Sequence, residues 1–140
     1  MEKVIAYTDG EARGNPGPAG IGVYIQNEQG MLLKEMSDFI GNSTDDFAQY
    51  QGVMTALQAL EDMYGKKLKE MEFEIRMGSE LVKKQLNHEC QIKEPGIVPM
   101  FIEIHNMRVS SFPNLIITHV SSNKNAEANR LANEAIETKG

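Results

Sequence analysis

The sequence predicts an α/β protein: a five-stranded mixed sheet, an antiparallel meander followed by parallel strands, with helices on both faces. Two observations carry this prediction. The first forty residues alternate apolar and polar positions with a period of two, interrupted only by short turns rich in Gly, Asn and Pro. From Thr44 onward the apolar spacing switches between three-to-four and two, so helices and strands take turns. With 140 residues, 41% hydrophobic and 24% charged, the chain has the length and composition of one domain over 1–140 with its own core.

Each element has a local cause. Residues 3–8 (KVIAYT) and 20–26 (GIGVYIQ) read as strands, Asn27-Glu28-Gln29-Gly30 as a turn, and 31–40 as a third strand. Thr44 then caps a helix whose first turn holds Asp45 and Asp46, where the helix dipole favours acids. Phe47, Tyr50, Val53, Met54, Leu57 and Leu60 form its inner stripe, and Gly65 ends it. Residues 71–77 alternate as a strand. Ser79 caps a short helix carrying Leu81, Val82, Gln85 and Leu86. Pro95-Gly96 breaks the chain, and Pro99 suits the first turn of a helix with Phe101, Ile104 and Met107 inward. Residues 115–120 form the most apolar strand, which predicts a central position in the sheet. Residues 125–138 close the chain as a helix with Ala128, Leu131, Ala132, Ala135 and Ile136 inward.

Composition narrows the function classes. No apolar run reaches membrane-spanning length, and the N-terminus has no charged-then-apolar signal layout, so a cytoplasmic protein is expected. The lone Cys90 excludes an internal disulfide. A net charge of −6 argues against tight, non-specific nucleic-acid binding. Two lysine clusters, at Lys66, Lys67 and Lys69 and at Lys83 and Lys84, read as solvated helix ends. His88 and His105 show no ligand spacing and read as surface residues.

The stretch GNPGPAG (14–20) is not a phosphate-binding P-loop, because no lysine follows its glycines and a strand, not a helix, comes next. It reads as a wide turn between two strands. Together with Asp9-Gly10 just upstream it forms YTDGEARGNPGPAGIG (7–22), which resembles the opening of type 1 ribonuclease H. The resemblance extends along nearly the whole chain. Family members read roughly Thr-Asn-Asn-x-Ala-Glu-Tyr, Asp-Ser-x-Leu-Val and Asn-x-x-Ala-Asp-x-Leu-Ala. Here the matching segments are TDDFAQY (44–50), GSELV (78–82) and NAEANRLA (125–132). QIKEPG (91–96) is similar to a short-form subgroup that lacks a long basic insertion.

The resemblance implies a ribonuclease H-like fold, which agrees with the element order read above. It also implies four catalytic carboxylates, but the matching positions are Asp9, Gln49, Gly78 and Asn129. It places a mobile histidine at His119, to assist product release or proton transfer; the residue reads equally as a polar strand end. It assigns nucleic-acid contact to Gly14, Asn15, Gly17, Thr44, Asp45, Asp46 and Ser79, although the family's paired asparagines are Asp45 and Asp46 here. The family's hydrolysis uses two Mg²⁺ or Mn²⁺ ions roughly 4 Å apart, which activate water and stabilise the leaving oxygen. Asp9 is the one anionic ligand left at the four positions, so metal binding is expected to be weak or absent. Gln49, Gly78 and Asn129 also relieve the mutual repulsion that clustered carboxylates suffer without metal.

The expected function is a monomer that binds RNA–DNA hybrid or related nucleic acid weakly, with catalysis lost or severely impaired. Two alternatives stay open at this point: an active hybrid endonuclease using a rearranged metal site, and an interaction scaffold that has left nucleic acid.

Overall fold

Strand β1 (Lys3–Ala12) is the axis of the molecule. In the computed structural model, which describes residues 1–138 of the expected 1–140 domain, it has a neighbour on each side. β2 (Gly17–Asn27) runs antiparallel to it and β3 (Leu32–Ser43) antiparallel to β2, which completes the expected meander. β4 (Glu72–Met77) pairs parallel with the other edge of β1, and β5 (Leu115–His119) parallel with β4. The sheet order is β3-β2-β1-β4-β5. The helices are α1 (Asp45–Tyr64), α2 (Glu80–Leu86), α3 (Val98–Ser111) and α4 (Ala126–Glu137).

One expectation is corrected. The strand at 115–120 lies at an edge, not the centre, and ends at His119. Leu115 and Ile117 are buried, but Ile116 is 52% exposed. The apolar run therefore reflects one covered face and one open face, not burial on both. The central strand is β1, whose sequence is less apolar because it ends in Asp9 and Glu11. β1 and β2 also extend further than their alternation indicates, since Ala12 pairs with Ala19 beyond the apolar stretch. The turn into β3 is made by Asn27, whose Oδ1 accepts from the backbone N–H of Gln29 (3.0 Å) and of Met31 (2.9 Å).

Helices reach the two faces by close backbone approach. A side chain at Gly10 would collide with the Ala48 carbonyl of α1, and one at Gly22 with the Ala128 carbonyl of α4. Glycine at both positions lets the two helices press on opposite faces of β1 and β2. Tyr50, Leu57, Ile75, Phe73 and Phe112 fill the α1 side, with the Phe73 and Phe112 rings edge-to-face at 5.4 Å. On α3, Ile104 is fully buried while Phe101 and Met107 are half-buried. Among the described residues no helix is long and apolar enough to cross a membrane. Lys83 and Lys84 pair with Glu89 and Glu80 on the surface, as solvated helix charges do.

α4 covers β2 and reaches β1 and β3, leaving the same face of β4 and β5 open. Glu74 lies there, 8% exposed, and accepts from Arg76 Nε (2.9 Å), Thr118 Oγ1 (3.1 Å) and Lys3 Nζ (3.3 Å). Burial pushes its carboxyl up, but these donors together hold it below the ordinary value. A folded pKa below the unfolded one means full stabilisation above the ordinary carboxyl range, lost as pH falls through the folded value. Glu74→Gln is predicted to cost about 1–3 kcal/mol at pH 7, and clearly less at pH 3. Thermal melts at both pH values check this; an equal cost at both would show that the carboxylate charge is not the source.

Candidate functional site

Strand alternation places Tyr7, Asp9 and Glu11 on the α4 side of β1. Gly78 follows β4 next to Asp9, Gln49 comes from the second turn of α1, and Asn129 from the first turn of α4. The four matched positions thus meet in one cleft of about 540 Å³, as their chain segments imply. Glu11, Asp45, Asp46, Ser79, Ser122 and Asn125 line the same cleft.

Asp9 is 6% exposed and both of its oxygens receive donors. Gln49 Nε2 donates to Oδ1 at 2.7 Å and also to the Gly10 carbonyl at 2.9 Å. The Gly10 N–H donates to the same Oδ1 at 3.0 Å. Asn129 Nδ2 donates to Oδ2 at 3.0 Å and to Glu11 Oε1 at 2.7 Å. Every partner of the two amide nitrogens is an acceptor. Turning either amide over would set oxygen against oxygen, so the chemistry fixes their orientation. Burial raises the Asp9 pKa; the hydrogen bonds from Asn129, Gln49 and Gly10 pull it back, and the Asp45 charge adds to the rise. Glu11 is likewise raised, by burial first and then by Asp9.

Two contributors lie outside the four matched positions. Glu11 shares Asn129 with Asp9, and the period-two alternation Tyr7, Asp9, Glu11 is the signal that could have found it. Asn125 is 2% exposed and donates from Nδ2 to the Thr8 carbonyl at 3.0 Å. It stands four residues before Asn129, one helical turn away, and its backbone carbonyl accepts from the Asn129 N–H. Asp45 and Asp46, read as helix-start charges, also face the cleft.

The nucleic-acid contact candidates divide. Asp45, Asp46 and Ser79 line the cleft; Gly14, Asn15, Gly17 and Thr44 do not. Asn15 Oδ1 accepts from the Asp45 N–H (3.0 Å), and Asp45 Oδ1 accepts from the Ala12 N–H (2.8 Å), so the 13–16 turn is stitched to the start of α1. Thr44 Oγ1 accepts from the Phe47 N–H (3.1 Å) and donates to Glu94 Oε2 (3.4 Å). Ser79 caps α2 through the Val82 N–H (3.1 Å). His119 sits at the end of β5, outside the cleft lining, with Nδ1 4.0 Å from Glu80 Oε2.

A pair of divalent metal ions does not fit the four matched positions. Mg²⁺ takes hard oxygen ligands in octahedral array, usually one or two carboxylates completed by waters, and Asp9 is the one acid among the four. N–H groups engage both Asp9 oxygens, two donors on Oδ1 and one on Oδ2, and Gln49 Oε1 is a neutral oxygen buried without a partner. Gly78 supplies nothing: a Cβ there would already lie 3.1 Å from Asp9 Oδ1 and 3.2 Å from Asn125 Nδ2. Among the described residues no group of three or more His, Cys, Asp or Glu is arranged to hold a metal ion.

Residues 7–135 match the family model described as reverse transcriptase-like. The chain is 35% identical over 135 residues to ribonuclease HI of Halobacterium salinarum, covering 96% of this chain and 65% of that protein. It is 31% identical over 136 residues to a bifunctional protein of Mycobacterium tuberculosis, of which it spans 36%. Among solved structures, LC11-RNase H1, isolated from compost by a metagenomic approach, superposes with a TM-score of 0.94 at 46% identity, covering 99% of both chains. The crystal structure of LC11-RNase H1 in complex with RNA/DNA hybrid gives a TM-score of 0.92, covering 97% of this chain and 98% of that one.

The donor pattern predicts the response to restored acids. The triple variant Gln49→Glu, Gly78→Asp, Asn129→Asp removes both amide donors and adds three carboxylates around Asp9. In EDTA its melting temperature is expected to fall, by an amount equivalent to about 2 kcal/mol or more. Calorimetry checks this, and a rise in melting temperature would refute it.

Proposed function

The chain belongs to the ribonuclease H family, and from that premise we propose that it binds RNA–DNA hybrid without hydrolysing it at an appreciable rate. The observation that carries the reading is the engagement of both Asp9 oxygens by the Gln49 and Asn129 amides, at positions where the family resemblance places carboxylates. Ribonucleases H use divalent metal ions, which activate a water and neutralise charge on the scissile phosphate. With both Asp9 oxygens engaged by N–H groups and no negative charge at Gln49, Gly78 or Asn129, these residues do not supply the charge such ions require, and no hydrolytic step is assigned to them. What the residues do is hold the cleft's shape. The amides tie β1 to α1 and α4 where carboxylates and cations would otherwise have to balance.

Hybrid is the favoured ligand because the 46%-identical LC11-RNase H1 forms a complex with RNA/DNA hybrid and the fold matches it over nearly its full length. Affinity is expected to be modest. The net charge is −6, Asp45 and Asp46 face the cleft, and the Glu94 carboxylate accepts the Thr44 hydroxyl that would otherwise be free to meet a phosphate. Added carboxylates raise the cost of bringing phosphates near. Because no metal bridges protein and phosphate in this reading, binding should not require Mg²⁺.

Binding and cleavage of labelled RNA–DNA hybrid are measured in Mg²⁺, in Mn²⁺ and in EDTA. The protein is compared with Asp9→Asn and with the triple restoration described above. The expected result is salt-dependent binding that is the same with and without metal, no cleavage by the protein itself, and metal-dependent cleavage by the restored variant. Cleavage by the protein that disappears in Asp9→Asn would overturn the reading in favour of a rearranged metal site using Glu11, Asp45 or Asp46. Failure to bind any hybrid would favour the interaction scaffold.

A further inference from the structure

We propose that a second cleft, formed by Tyr7, Tyr24 and the turn at Ser122–Lys124, holds an unpaired nucleobase at a single-stranded extension of the bound hybrid. The proposal rests on the hybrid-binding reading for its macromolecular ligand, and on separate residues for its geometry. The cleft has a volume of about 230 Å³ and is lined by Tyr7, Tyr24, Gln26, Asn123, Lys124 and Glu127. That is smaller than a pocket for a drug-sized ligand, and suits one planar group.

The register makes an aromatic platform. Tyr7 and Tyr24 are direct partners across the antiparallel β1–β2 pair, so their side chains stand side by side on one face. Arg76, the neighbour of Tyr7 on β4, fixes the first ring: its Nη1 donates to the Tyr7 hydroxyl at 2.6 Å, and its guanidinium carbon lies 5.4 Å from the ring centroid. Beside this anchored ring stand unused polar groups. Among the described residues, the Tyr24 hydroxyl, the Gln26 amide and the Lys124 ammonium have no hydrogen-bond or ion-pair partner, yet all three line the same cleft. An aromatic face, an amide and a cation converging on one small space fit a base that stacks, is touched at its edge and carries a phosphate.

Charge favours this place over the rest of an acidic surface. The lining brings Lys124 against one carboxylate, Glu127, which shares Arg130 (3.5 Å) with Glu35 and Glu134. The nearby Glu74 is neutralised by Arg76 and Lys3. Position links the cleft to the main site. Tyr7 precedes Asp9 by two residues on the same face of β1, about 7 Å along the strand. The 122–124 turn is a shared wall: Ser122 lines the Asp9 cleft, while Asn123 and Lys124 line the tyrosine cleft. A strand leaving the first cleft over this wall arrives at the second. A base in a duplex has its faces covered by its neighbours, so only an unpaired one offers a face to tyrosine.

The chain's own fluorescence reports on this. It has four tyrosines and no tryptophan; Tyr50 is fully buried and Tyr64 packs against Phe73. Stacking should therefore quench the emission of Tyr7 and Tyr24. Affinity and tyrosine emission are measured for blunt hybrid, for the same hybrid with a short single-stranded tail, and for the tail oligonucleotide alone. The tail is expected to strengthen binding about tenfold, the effect of one base–aromatic stack, with quenching. Tyr24→Ala and Lys124→Ala should each reduce the gain from the tail and leave blunt-hybrid affinity unchanged, while Tyr24→Phe retains the stacking gain. Equal affinity for tailed and blunt hybrid, or a full gain in Tyr24→Ala, overturns the proposal. If no hybrid binds at all, the hybrid-binding reading fails separately. The cleft is then judged by the oligonucleotide alone: Tyr24-dependent quenching upholds it as a single-strand site, and no quenching overturns it.

Discussion

The carboxylate of Asp9 is a charge held almost out of solvent at the point where β1, α1 and α4 converge, and much of the surrounding architecture exists to make that tolerable. A buried carboxylate without partners would shift toward its neutral form or destabilise the fold. Here the Gly10 backbone N–H, the Gln49 amide and the Asn129 amide surround it. Hydrogen bonds to a charged group are each worth about 1.5–3 kcal/mol net, and removing one partner would leave the full desolvation cost uncompensated. The three donors come from three chain segments, so the same contacts that stabilise the charge also set how the helices sit on the sheet.

That convergence depends on backbone contact elsewhere. α1 reaches Asp9 because Gly10 lets the Ala48 carbonyl lie directly on β1, and α4 reaches it because Gly22 admits the Ala128 carbonyl on the opposite face. Asn125 adds a further tie from the start of α4 to the Thr8 carbonyl. The turn at 13–16 is held by reciprocal use of Asn15 and Asp45, which positions the first turn of α1 and therefore Gln49. Residues that the family resemblance assigns to nucleic acid are thus also engaged in holding the cleft together.

The element order was legible because the periods are clean: the meander, the capped α1 and the amphipathic α4 all follow from spacing and capping residues. The position of β5 was not, because an apolar run such as Leu-Ile-Ile records how many faces are covered only when each neighbour is known. Ile116 faces an open half-sheet, which no local pattern states. At the site, Asp9, Gln49, Gly78 and Asn129 could be placed together by resemblance. The role of Glu11 could not, since it depends on Asn129 reaching across from a segment 118 residues away. Thr44 was readable as the cap of α1, which its bond from the Phe47 N–H bears out; whether Asn15 faces a ligand or the protein's own backbone is a matter of tertiary geometry.

The way the amides work bears on how the site tolerates change. Gln49 and Asn129 have the length and planarity of the acids that the family resemblance places at these positions, and here they make direct N–H to carboxylate bonds. The result is a set of interactions made between protein groups alone. Such a set is coupled: Asn129 bonds Asp9 and Glu11 together, and Gln49 bonds Asp9 and the Gly10 carbonyl together. An acid at Gln49 or Asn129 alone would delete a shared donor and add a charge beside a carboxyl whose pKa burial already raises, while leaving the other amide on Asp9. Gly78 sharpens the point, because a side chain there enters a space bounded by Asp9 and Asn125 at little more than 3 Å. Substitutions among these contacting positions are therefore expected to be non-additive.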